Sequence, residues 1–231
     1  MLALTALLVA AAPIEVLVIV PLCDGAQLAC GAGGLGDPHL PAHNLYWGAK
    51  YGAARFLEDS GEYSTERATA APLPDVLAQR RLVRRTGKSE RPVRVLLLAY
   101  DGAHIDRAMR DFFDAVALRR ADLVVWMGHD RLMDVAAPAL ARATAPASTA
   151  VLACSSESYF KPALDALGAR SVALTRTFMA PEGYLLDALL DNVARHGVDE
   201  RVALRRALID AYARYQRITP AAAASVFSRL E

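Results

Sequence analysis

Apolar and polar positions along the chain follow two rhythms. Short, nearly continuous apolar runs occur at Ile14–Leu22, Val93–Ala99, Asp122–Met127, Thr149–Ala153 and Ser171–Leu174. Runs of this length and β-branched content predict buried strands. Between them the spacing changes to that of a helix. Ile105–Leu118 carries Ile105, Ala108, Met109, Phe112, Phe113 and Val116 on one face, which predicts an amphipathic helix. Leu132–Ala143, Ser156–Leu167 (ended by Gly168), Glu182–His196 and Asp199–Tyr215 predict further helices. Asn44 stands where it would cap a helix running through Glu58. Strands that are apolar throughout and alternate with helices imply an α/β fold. The expected architecture is a mostly parallel sheet of about five strands with helices on both faces.

The remaining segments are irregular. Cys23–His43 is rich in Gly and Pro and predicts a loop, and Asp59–Arg91 is polar. Its basic stretch, Arg80–Arg94, reads as a solvated face or an exposed loop open to processing. There is no internal repeat and no domain-sized linker, so residues 13–231 read as one domain.

Composition narrows the class. The 231 residues are 54% apolar and 22% charged, with a formal net charge of +1. Such a chain can bury a core without metals or disulfides, and its mixture excludes disordered, collagenous and coiled-coil proteins. The near-zero charge gives no reason to expect nucleic acid as a partner. Met1–Ala12 is an apolar run ending in small residues, as a signal peptide would be, although no Lys or Arg precedes it. The alternative is a buried N-terminal segment. Pro13 and Glu15 interrupt the apolar character before it resumes, so stable membrane insertion is not expected. Export would make the protein secreted or periplasmic; otherwise it is cytoplasmic. In an oxidising compartment Cys23 and Cys30 could form a bridge, which leaves Cys154 over.

Ligands of parallel sheets sit at the carboxyl ends of the strands. That edge gathers Cys23 and Asp24, then Tyr100–Gly102, then Gly128–Asp130, then Cys154–Ser156. A thiol and an imidazole thus follow successive strands. A cysteine nucleophile needs a nearby base or cation, and His129 fits that role. Small neighbours at Gly128, Ala153 and Ser155 leave room for a carbonyl. The Cys154 N–H at a helix start is a candidate oxyanion donor, and the helix terminus is expected to lower the thiol pKa.

The two stretches VVWMGHD and AVLACSS resemble the His and Cys motifs of the caspase-like (clan CD) cysteine peptidases. In that family a strand ending in Gly-His precedes a strand ending in Cys, in this order. The resemblance covers the sheet, from Ile14 to Leu174, through two short patches. It implies a caspase-like three-layer sandwich, catalysis by His129 and Cys154, and support of the oxyanion by the segment Gly128–Asp130. The family commonly has Gly after the His; here Asp130 keeps the N–H but adds a carboxylate. Asp24 and Asp101 are expected at the same edge, either receiving a basic substrate side chain or capping turns. The function implied is a cysteine hydrolase, an endopeptidase acting on polypeptide substrates. The alternative is a catalytically inactive binding or scaffold module of the same fold in the cell envelope.

Other motifs carry less. Gly31–Gly36 fits G-x-G-x-x-G but does not join a strand to a helix, so it reads as a loop over the sheet edge. Cys23, Cys30, His39 and His43 have spacings a metal site could use, without the paired framework of a zinc site. Tyr46, Trp47, Tyr51 and Phe56 could line a groove, but core packing is the expected role. No G-x-S-x-G occurs. No cofactor and no metal are expected.

Overall fold

The fold was analysed in a computed structural model that describes residues 12–66, 73–85, 87 and 90–230. The proposed signal segment lies almost wholly outside these residues. The chain forms an α/β sandwich on a seven-stranded sheet. Its strands are β1 (Ile14–Pro21), β2 (Tyr63–Glu66), β3 (Val76–Arg84), β4 (Val93–Tyr100), β5 (Leu123–Met127), β6 (Ser148–Leu152) and β7 (Arg170–Ala173). The order across the sheet is β2-β3-β4-β1-β5-β6-β7. The five strands from β4 to β7 in this order are parallel. β2 and β3 extend the β4 edge as an antiparallel pair.

The five parallel strands are the five apolar runs of the sequence. They carry no polar face because both faces are covered. Along β1, Val16, Val18 and Val20 enter one core, while Leu17 and Ile19 enter the other. The helices are α1 (Ala53–Asp59), α2 (Ile105–Ala117), α3 (Ser156–Leu167), α4 (Gly183–His196), α5 (Arg201–Gln216) and α6 (Pro220–Val226). α2 and α3 pack on the second core with Phe112, Phe113 and Phe160. The other four helices cover the first core. α3 ends at Gly168, whose φ of 82° is the left-handed conformation that closes a helix.

Three expectations need correction. The sheet has seven strands rather than five, because β2 and β3 lie in the segment that reads as polar and irregular. β3 (VLAQRRLVR) is a near-edge strand in which Arg80 and Arg81 remain partly exposed while their stems cover the sheet. The basic stretch therefore begins in β3 and ends in β4, and is not a free loop throughout. Arg84 is 7% exposed and forms ion pairs with Glu90 and Asp191. Second, Leu132–Ala143 is not a helix. Only Arg131–Met133 makes a 3-10 turn, and Pro138 and Pro146 deprive the following segment of helix donors. Third, the segment from Asn44 makes turns until Ala53, where α1 begins.

Asn44 explains that last difference. Its side chain is fully buried and Oδ1 accepts both the Tyr46 and the Cys23 N–H. Its Nδ2 donates to the carbonyls of Cys23 and Asp37. Instead of starting a helix, Asn44 fastens the 23–43 loop to the end of β1. Cys23 and Cys30, both buried, close the same loop with a disulfide. His39 Nδ1 lies 2.8 Å from Asp101 Oδ2, and the Gly102 N–H donates to the Pro38 carbonyl. This loop is pinned to the sheet edge rather than draped over it. Asn44→Ala would strand two buried N–H groups and two carbonyls, so a loss of about 3 kcal/mol is expected. Denaturant unfolding followed by tryptophan fluorescence measures it.

Candidate functional site

The chemistry expected from the sequence lies where β5 and β6 end. These two strands are parallel neighbours, with Met127 opposite Leu152. The last rung is the Gly128 N–H donating to the Leu152 carbonyl at 3.2 Å. Two residues beyond the register pair on each strand stand His129 and Cys154. Gly128 is required here. Its φ is 154°, and a Cβ would come within 3.1 Å of the Pro21 side chain and 3.2 Å of the Pro21 carbonyl oxygen.

The Cys154 turn is held tightly from β7. Ser156 is fully buried, and its hydroxyl donates to the Val151 carbonyl at 3.0 Å. The Thr175 hydroxyl donates to the Ala153 carbonyl. The Thr175 N–H donates to Ser156 Oγ at 2.9 Å, and the Ser155 N–H donates to the Thr177 carbonyl at 3.0 Å. Ser155 itself takes a φ of 49°, a conformation unusual outside Gly. Cys154 is thus presented on a sharp strand-to-helix turn whose position is fixed by buried bonds. The sequence places Ser156 at this edge without assigning it a role, and does not single out Thr175. The available signal was a small hydroxyl residue just past the end of each of two adjacent apolar strands.

Cys154 carries the free thiol, and it is partly buried. The Met179 N–H donates to Sγ at 3.5 Å, and the thiol lies 3.6 Å from the Met179 carbonyl. Tyr46 and Tyr212 lie close enough for the thiol's charge to act on their phenols. Burial pushes the thiol pKa up, and the charge of Asp130 adds to this. Hydrogen bonds from the Met179 N–H and from the thiol's own backbone N–H work the other way. The expected lowering by the helix terminus is therefore outweighed. α3 starts only at Ser156, after the left-handed Ser155, so the sulfur stands outside its first turn.

His129 is held by different neighbours. Its Nε2 lies 2.7 Å from Asp134 Oδ2, and its carbonyl accepts the indole N–H of Trp126 at 3.0 Å. Nδ1 has no partner among the described residues. No hydrogen bond joins His129 to Cys154 among the described residues; the two share equivalent positions beyond the ends of adjacent strands. Asp130 turns inward and is fully buried. Oδ1 accepts the Leu132 N–H at 3.0 Å and starts the 3-10 turn. Oδ2 has no partner. Burial pushes this carboxyl up to about 7, against the pull of the Leu132 and Met133 N–H groups.

Asp24 and Asp101 are not displayed for a ligand. Asp24 accepts from the Ala26 N–H and from Gln27 Nε2. Asp101 accepts from the Ala103 N–H and pairs with His39. Both are buried turn caps. Of the possible metal ligands, Cys23 and Cys30 are bonded to each other, and no group of three candidate ligands converges among the described residues. Tyr46 and Trp47 are buried, and Tyr51 and Phe56 pack edge-on against Tyr184 and Tyr215. A groove of about 610 Å3 lies elsewhere, between α2 and β4 over Leu17, Ile19, Leu96 and Leu98. Among the described residues no helix is long and apolar enough to cross a membrane. Comparison with protein-family models, with curated proteins and with solved structures gave no match.

Proposed function

We propose that the protein is a caspase-like cysteine hydrolase acting on polypeptides, with Cys154 as nucleophile and His129 as general acid and base. One observation carries this reading. Within the sheet order β4-β1-β5-β6, the thiol and the imidazole follow adjacent parallel strands at equivalent positions beyond the Met127–Leu152 pair. Among the parallel strands the order β4-β1-β5-β6-β7 changes direction between β1 and β5, next to the strand that carries His129, and ligands of such sheets bind at that switch.

Sγ attacks an acyl carbon after losing its proton to the His129 imidazole, and its own backbone N–H lies beside the sulfur to meet the developing oxyanion. His129 protonates the leaving amine and later takes a proton from the attacking water. Asp134 holds Nε2 and so leaves Nδ1 as the nitrogen for proton transfer, the base-plus-orienter arrangement of activated nucleophiles. The raised thiol pKa makes the resting nucleophile a neutral thiol at pH 7, and the substrate complex would have to supply its activation.

The second reading is a catalytically inactive module of the same fold, in the cell envelope. It is favoured by the absence of a direct His129–Cys154 bond and by the capping roles of Asp24 and Asp101. The Cys23–Cys30 disulfide supports an oxidising, extracytoplasmic location for either reading. A library of fluorogenic peptides separates the two. Cleavage by the wild-type chain that falls by at least about 10³-fold in Cys154→Ala is expected. No cleavage of any peptide by folded wild-type protein, or equal cleavage by the variant, rejects the hydrolase.

A further inference from the structure

The groove of about 610 Å3 beside α2 takes no part in the chemistry at Cys154. Its floor is a face of β1 and β4, with Leu17 opposite Leu96 and Ile19 opposite Leu98. β3 extends that floor. Leu82 enters the first core, so its neighbour Arg81 points to the other face, where it stands opposite Leu96 and lines the groove. The other arginines of β3 have carboxylate partners: Arg80 pairs with Glu58, and Arg84 with Glu90 and Asp191. No hydrogen bond or ion pair engages the Arg81 guanidinium among the described residues. Glu66, its neighbour across β2, lies 3.8 Å from Arg94 instead. Of the Arg81 nitrogens only Nε is sealed, so the two terminal nitrogens remain reachable from the groove. A guanidinium held over an apolar floor without a counter-charge is costly and calls for a partner.

The rest of the rim is close to balanced. Arg107 pairs with Asp111, which also accepts the Tyr100 hydroxyl. Glu15 lies 3.5 Å from Arg94. That leaves Arg81 and Arg120 against Asp114, an excess of one positive charge. A monoanion matches this excess and a phosphate dianion overshoots it. The planar fork of an arginine receives a carboxylate through two parallel hydrogen bonds. From Leu96 to Tyr100 the floor runs about 13 Å at roughly 3.3 Å per strand residue, and it ends against Leu73 and Pro74.

We propose that the groove binds one free alkyl monocarboxylate, with its carboxylate on the Arg81 fork and its chain laid over Leu96, Leu98 and Ile19 toward Tyr100. Clefts of this volume with apolar walls and a few convergent polar groups are those that take small molecules. Neither Cys154 nor His129 lines the groove, and binding does not depend on their chemistry.

Isothermal titration calorimetry of the full chain with dodecanoate, kept below its micelle concentration, tests this. One saturable site is expected. Arg81→Gln removes the charge and keeps a polar side chain, and is expected to bind about 10- to 100-fold more weakly. Dodecanol has the same chain without the charge, and is expected to bind the wild type at least about 10-fold more weakly than dodecanoate does. Leu96→Glu sets a carboxylate opposite Arg81 in the sheet and should abolish binding; Leu96 is only partly buried, so the variant should still fold. The dodecanol comparison needs no variant at all. Absence of saturable binding overturns the proposal. So does equal affinity of Arg81→Gln and wild type, or equal affinity of the wild type for dodecanol and dodecanoate.

Discussion

Trp126→Ala is expected to destabilise the protein by about 3–5 kcal/mol and to loosen the candidate site with it. Trp126 is 0% exposed and occupies the centre of the core under α2 and α3. Its ring lies 5.8 Å from Phe112 and 5.6 Å from Phe160, and in the sheet it stands between Ile19 and Val151. Close-packed interiors cannot collapse to fill a hole of this size. The indole N–H also holds the His129 carbonyl, so truncation removes the bond that fixes the turn after β5. Guanidinium unfolding gives the cost as a lower midpoint at unchanged slope. Trp126→Phe separates the two roles. It retains much of the volume and loses the donor, so it should unfold close to the wild type while lowering turnover.

His129→Ala is expected to have the opposite signature. The side chain is mostly but not fully enclosed, and its one partner is Asp134 at the surface. Its removal should leave the unfolding midpoint nearly unchanged. Turnover should fall by about 10²–10⁴-fold, the usual contribution of a positioned general acid and base. Steady-state kinetics on any cleaved peptide measures this, with alkylation of Cys154 as the control that the nucleophile remains in place. Asp134→Asn, which keeps a neutral partner for the imidazole, should lower turnover less than His129→Ala.

The parallel half of the sheet was legible in the sequence because both of its faces are buried. Val16, Val18 and Val20 on one side, with Leu17 and Ile19 on the other, leave Glu15 as the one polar position in β1, at its start, where it does not obscure the run. α2 and α3 were legible for the complementary reason, an apolar stripe of helical period with a clear stop. β3 was not, because a partly exposed strand needs no apolar alternation, and arginines satisfied by Glu58, Glu90 and Asp191 look like a loop. The helix expected at 132–143 failed against Pro138. Its apparent period came from abundant alanine.

The edge carrying the site was legible from strand ends alone. What each side chain does there was not. Asp24, Asp101 and Asp130 are three acidic residues that the sequence places at the same edge. Only tertiary structure distinguishes two satisfied caps from a buried carboxyl with an unpaired oxygen. The pKa of Cys154 was likewise out of reach, since it depends on how deeply the sulfur is buried and on Asp130 across the strand gap. Asn44 reads as a local cap in the sequence, whereas two of its four side-chain bonds reach back 21 residues to Cys23.

If Cys154 is the nucleophile, it carries the acyl group during turnover. Rapid acid quench of the protein during turnover of a peptide ester, followed by peptide mapping, should then show an acyl mass on the peptide containing Cys154, accumulating in His129→Ala and absent in Cys154→Ala. Hydrolysis that proceeds with no acyl group on Cys154, or that survives in Cys154→Ala, rules out Cys154 as nucleophile.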